Sequence, residues 1–263
     1  MPKTAGDFYW GQRSGLPAFR ALIRAMEASL FDSRVKISEP VLDLGCGDGH
    51  FAETNAWKFR TGIDLAQASL KEAQGRGLYG SLELADATKM PFANQTFQTV
   101  VSNCVVEHIP DVEAVFREAY RVLKPGGKFV LSVPTDRLNE ALTVTRLLKG
   151  LGLKALETRY KAWFTRMQVH FHMYAPEEWQ RKLEAAGFTV EQRIGYMSPR
   201  AAGWFDLLHF YGAPDLIVRK LIGKWVLIPW RPLFVLEEAF AAGLVRDGAA
   251  QGATCCFFVV SKR

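Results

Sequence analysis

The sequence predicts a doubly wound α/β fold with a mostly parallel sheet. From Pro40 onward, short apolar runs alternate with segments of helical periodicity, which is the order typical of βαβ units. A glycine-rich turn joins the first apolar run to the first helical pattern. The chain has 263 residues, 49% of them hydrophobic, enough to bury a full core. Small disulfide-stapled and disordered classes are therefore excluded.

The alternation assigns each element in turn. We expect the helix over 111–123 to end at Lys124-Pro125-Gly126-Gly127, which cannot continue it. A later helix begins at Ala175-Pro176 and ends at Gly187, and the apolar run 254–261 predicts a strand buried on both faces. The other predicted strands are 40–44, 60–64, 81–85, 97–102, 127–133 and 188–194, and the other predicted helices are 49–57 and 66–75.

Three segments lie outside this alternation. Residues 1–38 are interpreted as an N-terminal lid helix, and residues 39–263 as one domain with insertions at about 136–174 and 196–252. Helical periodicity marks the first two segments. Within 215–227, apolar residues recur at helical spacing and basic residues group on another side, which predicts a basic amphipathic helix. Its basic residues interrupt the apolar run before it is long enough to cross a membrane.

Composition favours a reduced compartment. The four cysteines show no regular spacing, and no apolar run follows the first lysine, so we expect a cytoplasmic protein without a secretory signal. The net charge of +6 would suit an anionic partner but decides nothing alone.

The glycine-rich turn is the strongest chemical signal. It reads Gly-x-Gly-x-Gly within Val41–Phe51, whereas the dinucleotide fingerprint reads Gly-x-Gly-x-x-Gly. Asp48 at the start of the following helix would cap it and repel a phosphate. Asp43 just before the turn suits a cationic ammonium or sulfonium group. We therefore expect a ligand without phosphates.

Two more carboxylates follow the next two strands. Asp64 ends the second strand, where a carboxylate can accept hydrogen bonds from both hydroxyls of a ribose. Asp86 ends the third strand, where it can accept from an adenine amino group, and the small neighbour Ala87 leaves room for the ring. Together they favour a nucleoside-type ligand over a mere tight turn.

In this order and spacing, these motifs resemble the class I S-adenosylmethionine-dependent methyltransferases, in particular their small-molecule, type 11-like branch. Met90-Pro91-Phe92 and Val122-Leu123-Lys124-Pro125-Gly126-Gly127 extend the match over about 40–135. The resemblance implies a Rossmann-like sheet of seven strands with an antiparallel last strand, and S-adenosylmethionine as the cofactor. It also implies these cofactor-binding residues: Asp43, Gly45, Cys46, Gly47, Gly49, Asp64, Leu65, Asp86, Ala87 and Asn103.

Methyl transfer from a sulfonium is an in-line displacement, so it depends mainly on positioning and a catalytic base is optional. His108 follows the fourth strand directly and is the candidate base for a hydroxyl acceptor; the alternative is that it shapes the loop. Alternating His170 and His172 could face one side and contact substrate. No third ligand is evident, so no metal site is predicted. We interpret Cys46 and Cys104 as packing residues, because no base adjoins them.

The substrate and two rival functions stay open. The segment after the fourth strand, Ser102-Asn103-Cys104-Val105, has neither the Pro-Pro-aromatic nor the Pro-Cys run of DNA-methylating relatives, so a small or lipid-like acceptor is preferred over nucleic acid. The nucleophilic atom of the acceptor is undetermined. For 215–227, packing of the apolar face on the protein's own core is favoured over peripheral membrane contact. The rivals are a non-catalytic nucleoside-binding scaffold or adaptor at a membrane and, less favoured, a nicotinamide-dependent oxidoreductase.

Overall fold

A computed structural model of the chain describes residues 2–57, 59–247 and 252–263. Its seven strands form one sheet in the order β3-β2-β1-β4-β5-β7-β6, with an antiparallel β7, so the predicted fold class is confirmed. The strands are β1 (Val41–Leu44), β2 (Phe59–Asp64), β3 (Tyr79–Leu84), β4 (Phe97–Asn103), β5 (Leu123–Pro134), β6 (Phe188–Tyr196) and β7 (Cys255–Lys262).

The strand order reverses between β1 and β4. Leu42 pairs with Thr61 of β2 on one side and with Val100 of β4 on the other, both in parallel register. The carboxyl ends of β1, β2 and β4 therefore meet at one edge, where a doubly wound sheet opens a crevice for a ligand.

The core follows from the apolar runs. Residues 255–260 of β7 are all buried, as the continuous apolar run predicts. One apolar cluster joins β7 to other central strands and to helices that pack on the sheet.

Among the alternating strands and helices, two boundaries differ from the prediction by three or more residues. The helix after the glycine turn ends at Thr54. The side-chain amide of Asn55 donates to the Phe51 carbonyl at 2.7 Å, and Ala56 has φ +57°, which a helix does not allow. Strand β5 begins four residues early, because Leu123 already pairs with Phe97 before the chain bulges and pairs Lys128 with Thr99.

Twelve α-helices lie in the described ranges. They are α1 (Ala5–Arg13), α2 (Ala18–Arg34), α3 (His50–Thr54), α4 (Gln67–Arg76), α5 (Val112–Val122), α6 (Leu138–Ala141), α7 (Thr143–Gly150), α8 (Lys154–Met167), α9 (Pro176–Ala185), α10 (Pro199–Tyr211), α11 (Ala213–Ile222) and α12 (Val235–Arg246). None of them is long and apolar enough to cross a bilayer. The predicted insertion 196–252 includes 248–251, which lie outside the described residues.

The chain divides into two compact units. The first, called here the sheet unit, comprises Asp32–Thr135, His170–Ile194 and Cys256–Arg263. The second, called here the helical unit, comprises Met1–Phe31, Asp136–Val169 and Gly195–Cys255. The lid role of the N-terminal segment stays a prediction; that segment holds two helices, α1 and α2.

The predicted amphipathic helix over 215–227 is shorter than expected. Helix α11 ends at Ile222, because Gly223 adopts φ +78° and its N–H donates to the Arg219 carbonyl. Trp225 therefore lies outside the helix. The third segment is nevertheless helical, like the other two.

Candidate functional site

The glycine turn is shaped by backbone geometry that side chains would not allow. Gly45, Gly47 and Gly49 have φ of +75°, +55° and +75°. A Cβ at Gly45 would lie 2.4 Å from a methyl group of Val105, whereas the space beside Gly47 is open to at least 4 Å. A ligand can thus approach the backbone at Gly47.

Asp64 fixes this turn to the second strand. One carboxylate oxygen accepts the Gly47 N–H at 2.9 Å, and the other accepts the Ala66 N–H at 2.8 Å. Each oxygen has a second lone pair, so the same carboxylate can also accept hydroxyl groups. The predicted ribose-binding residue and the predicted glycine loop are therefore one connected structure.

The turn lies in an acidic environment. Burial raises the pKa of the Cys46 thiol, and the nearby carboxylates of Asp43, Asp64 and Asp48 raise it further. The thiol stays protonated, which removes the basis for a nucleophilic role. The same carboxylates favour a positively charged ligand.

Two residues that the sequence analysis missed donate hydrogen bonds to two of these aspartates. The Tyr79 hydroxyl donates to Asp43 at 2.7 Å, and the Arg76 guanidinium donates to the Asp48 carbonyl at 2.6 Å. Burial, followed by the Asp43 charge, raises the pKa of Tyr79. Neither residue belongs to a motif, and Tyr79 lies just before the predicted strand 81–85. No sequence signal therefore indicated either contact.

Asp48 acts close to its predicted role as a helix cap. Gly49 occupies the N-cap position of α3, and the Asp48 carboxylate accepts the His50 N–H at 3.0 Å. This bond satisfies one of the free N–H groups at the start of the helix.

The predicted adenine end is partly polar and partly apolar. Asp86 accepts hydrogen bonds from the Thr88 N–H and hydroxyl, both at 2.8 Å, while Ala87 packs into the core. Leu65 and Leu84 at the ends of β2 and β3 are 67% and 57% exposed. Exposed leucines beside a carboxylate suit an aromatic ring with a polar edge.

Asn103 ends β4 in a tightly bonded turn. Its amide oxygen accepts the Ser132 hydroxyl at 2.6 Å, and that hydroxyl also accepts the Cys104 N–H at 3.0 Å. Cys104 has φ +50°, so the chain turns sharply at the carboxyl end of the strand. This turn aims the following residues, 105–108, across the edge of the sheet.

His108 lies in a cluster with Glu107 and His170. The rings of His108 and His170 are 5.1 Å apart between centroids, and a ring nitrogen of His108 is 3.8 Å from the Glu107 carboxylate. The Glu107 backbone carbonyl accepts the N–H groups of Phe171 and His172 at 2.9 and 3.2 Å, which holds the 170–172 segment in place.

The two alternating histidines do not form one pair. His172 places Nε2 3.0 Å from the carbonyl oxygen of Ile109, and its Nδ1 is 2.8 Å from the Tyr174 hydroxyl. His170 lies instead beside His108. Residues separated by one position face one side only in regular extended backbone, and the 170–175 segment is an irregular loop, so the expected pairing fails.

The comparisons with known proteins agree with this geometry. A family model described as a methyltransferase domain matches residues 42–131, which hold the glycine turn, Asp64, Asp86 and Asn103. This match and the methyltransferase relatives support a class I S-adenosylmethionine-dependent methyltransferase of the type 11 branch, with S-adenosylmethionine as cofactor. They argue against the nicotinamide-dependent alternative.

The relatives differ in how much of this chain their match covers. A ubiquinone biosynthesis O-methyltransferase from Sinorhizobium fredii is 28% identical over 72% of this chain and 77% of its own length. A phosphoethanolamine N-methyltransferase 1 from Triticum aestivum is 34% identical over 37% of this chain, and the match spans only 21% of that protein. A methyltransferase structure from Mesorhizobium loti has a TM-score of 0.56 at 17% identity, covering 90% of this chain and 98% of its own, which shows a shared fold.

The residues of the turn fit the cofactor of this family. The open space at Gly47 admits a ligand against the backbone, and the carboxylates around Cys46 complement a sulfonium and an ammonium group. The exposed Leu65 and Leu84 offer apolar surface that suits the ring of a base.

Proposed function

We propose that the methyltransferase moves the methyl group of S-adenosylmethionine to a small-molecule or lipid-linked acceptor by in-line displacement, in the cytoplasm and at a membrane surface. We propose the same cofactor-binding residues as the resemblance implies, with Asp64 on the ribose and Asp86 on adenine. The observation that carries the proposal is the acidic glycine turn, bonded to Asp64, which complements a cationic nucleoside. We expect no nucleic-acid partner.

The relatives support the acceptor class without fixing the reacting atom. One is named an O-methyltransferase and the other an N-methyltransferase. An acceptor held in line with the methyl group needs no universal base, so both chemistries are compatible with this site.

Incubation of the purified chain with methyl-labelled S-adenosylmethionine and a cell extract tests the activity. The extract is separated into aqueous and lipid fractions before counting. We expect label in a small-molecule or lipid fraction. Binding of S-adenosylhomocysteine with no transfer to any fraction would favour the non-catalytic scaffold instead.

The helical unit supports the membrane contact. Helix α11 has no buried residue, and Ile217 and Leu221 are 63% and 77% exposed. Lys220 and Lys224 are exposed in the same region. An exposed apolar surface with basic residues suits an anionic lipid surface, where each cation contributes on the order of 1 kcal/mol.

Sedimentation with vesicles tests this contact. We expect the protein to pellet with anionic phosphatidylserine vesicles at low salt and to be released at high salt. The triple variant Arg219→Gln, Lys220→Gln, Lys224→Gln should stay in the supernatant. If the wild-type protein stays there too, the membrane contact is wrong and an aqueous acceptor is favoured.

A further inference from the structure

We propose that Glu107, His108 and His170 form a binding site for a divalent transition-metal ion. All three belong to the sheet unit and follow or face the end of β4. One carboxylate oxygen and two ring nitrogens lie within 4.8 Å of one another. The sequence analysis predicted no metal site, because His108 and His170 are 62 positions apart and only the fold brings them together.

The type and spacing of these atoms suit a small ion. Two histidines with one glutamate form a common catalytic zinc set, which leaves a fourth position open. Ligand atoms about 2.1 Å from a tetrahedral ion lie about 3.4 Å apart. The Glu107 oxygen and the His108 nitrogen are already 3.8 Å apart, so small side-chain rotations would complete the site.

The site is held by its surroundings. The Glu107 side chain is 1% exposed, and its backbone carbonyl binds the segment that carries His170. The Nδ1 atom of His170 is buried and accepts or donates no hydrogen bond within the described part of the chain. A buried polar atom of this kind is costly unless it serves a ligand.

His172 is the natural comparison residue. It lies two positions from His170, but both of its ring nitrogens already have partners in Ile109 and Tyr174. His172 should therefore supply no ligand atom to the metal ion.

A metal ion at this site would determine the chemical class of the methyl acceptor. This part of the inference rests on the proposed function. The open position would bind an acceptor hydroxyl and lower its pKa, and the proton would leave to water. The oxygen would then bond to the methyl carbon as the carbon–sulfur bond breaks with its electron pair on sulfur. The acceptor would accordingly be a hydroxyl compound.

Titration of the chelator-treated full chain with Co²⁺ tests the site, without acceptor or cofactor. We expect visible absorption that saturates at one equivalent and is displaced by Zn²⁺. The variants His170→Ala and Glu107→Gln should weaken Co²⁺ binding about tenfold or more. His172→Gln should bind as the wild-type chain does.

A thermal shift with S-adenosylhomocysteine on every variant shows that the chain is folded. Absence of the visible band in the wild-type chain would overturn the metal site, as would equal Co²⁺ affinity in wild type and His170→Ala. Neither result bears on cofactor binding. Conversely, a wild-type chain that binds Co²⁺ but not S-adenosylhomocysteine would overturn the proposed function and leave the ion site standing.

Discussion

The sheet unit and the helical unit distribute their apolar side chains differently. Of the 25 large apolar side chains that are exposed in the described residues, 22 belong to the helical unit. The three in the sheet unit are Leu65, Leu84 and Phe171. Each of these three lies beside the proposed cofactor or metal site. In the sheet unit, apolar exposure therefore coincides with the place where we expect ligands.

In contrast to apolar exposure, the burial of carboxylates is common to both units. Glu107 of the sheet unit and Glu27 and Asp206 of the helical unit are each 1% exposed or less. Glu27 accepts the Tyr196 hydroxyl at 2.7 Å, and Asp206 accepts the Val144 N–H at 2.9 Å. Polar networks fix geometry but contribute little net stability. The two units therefore differ in how many apolar side chains they expose, and not in whether they bury charged groups.

The largest expected effect is on stability, and it compares a buried apolar side chain of the sheet unit with an exposed one of the helical unit. Phe258→Ala removes a fully buried ring from the sheet core and should cost about 3–5 kcal/mol in free energy of unfolding. Leu236→Ala removes an 83% exposed side chain of the helical unit and should change stability by less than about 0.5 kcal/mol. Urea unfolding measures both. Similar losses for the two variants would show that Leu236 is not free of the protein's own core.

The second prediction concerns the cofactor site of the sheet unit. Asp64→Ala removes both the acceptor of the Gly47 N–H and the proposed ribose contact, so it should remove most of the melting-temperature rise caused by S-adenosylhomocysteine. Asp32→Ala, at an exposed position of the same unit, is the matched control. An unchanged rise in Asp64→Ala would mean that the ribose contact is misplaced.

The third prediction concerns pH and the helical unit. Burial lowers the pKa of His209 to about 4, below the ordinary 6.5. Between these values the unfolded chain binds the additional proton, so stability falls as the pH is lowered from 6.5 to 4. The stability of His209→Gln should therefore fall by about 2 kcal/mol less than that of the wild-type chain between pH 7 and pH 5. Urea midpoints at the two pH values measure this, and parallel losses would contradict it.

The smallest expected effect compares two tyrosine–carboxylate bonds. Tyr79→Phe removes the donor to Asp43 in the sheet unit, and Tyr9→Phe removes a 2.6 Å donor to Glu237 in the helical unit. We expect Tyr79→Phe to weaken S-adenosylhomocysteine binding about two- to tenfold. Tyr9→Phe should lower stability instead, by about 1 kcal/mol. Calorimetric titration and thermal melting distinguish the two, and a reversed outcome would make Tyr79 structural only.

The sequence by itself determined the sheet unit. Alternating apolar runs set its seven strands, and the glycine turn with Asp64 and Asp86 indicated the cofactor class, because these signals are local and follow the chain in order. Cys46 and His108 were also identified as candidate site residues from such local signals. The residues that contact them were not.

Only the tertiary structure decided what surrounds those residues. It set Tyr79 against Asp43 and His170 beside His108, and it ended α11 at Gly223 instead of continuing to Trp225. Such contacts join positions that are far apart in the chain, and periodicity carries no information about them. It also decided that the apolar residues of α11 face outward, because an amphipathic pattern shows which residues share a side but not what covers that side.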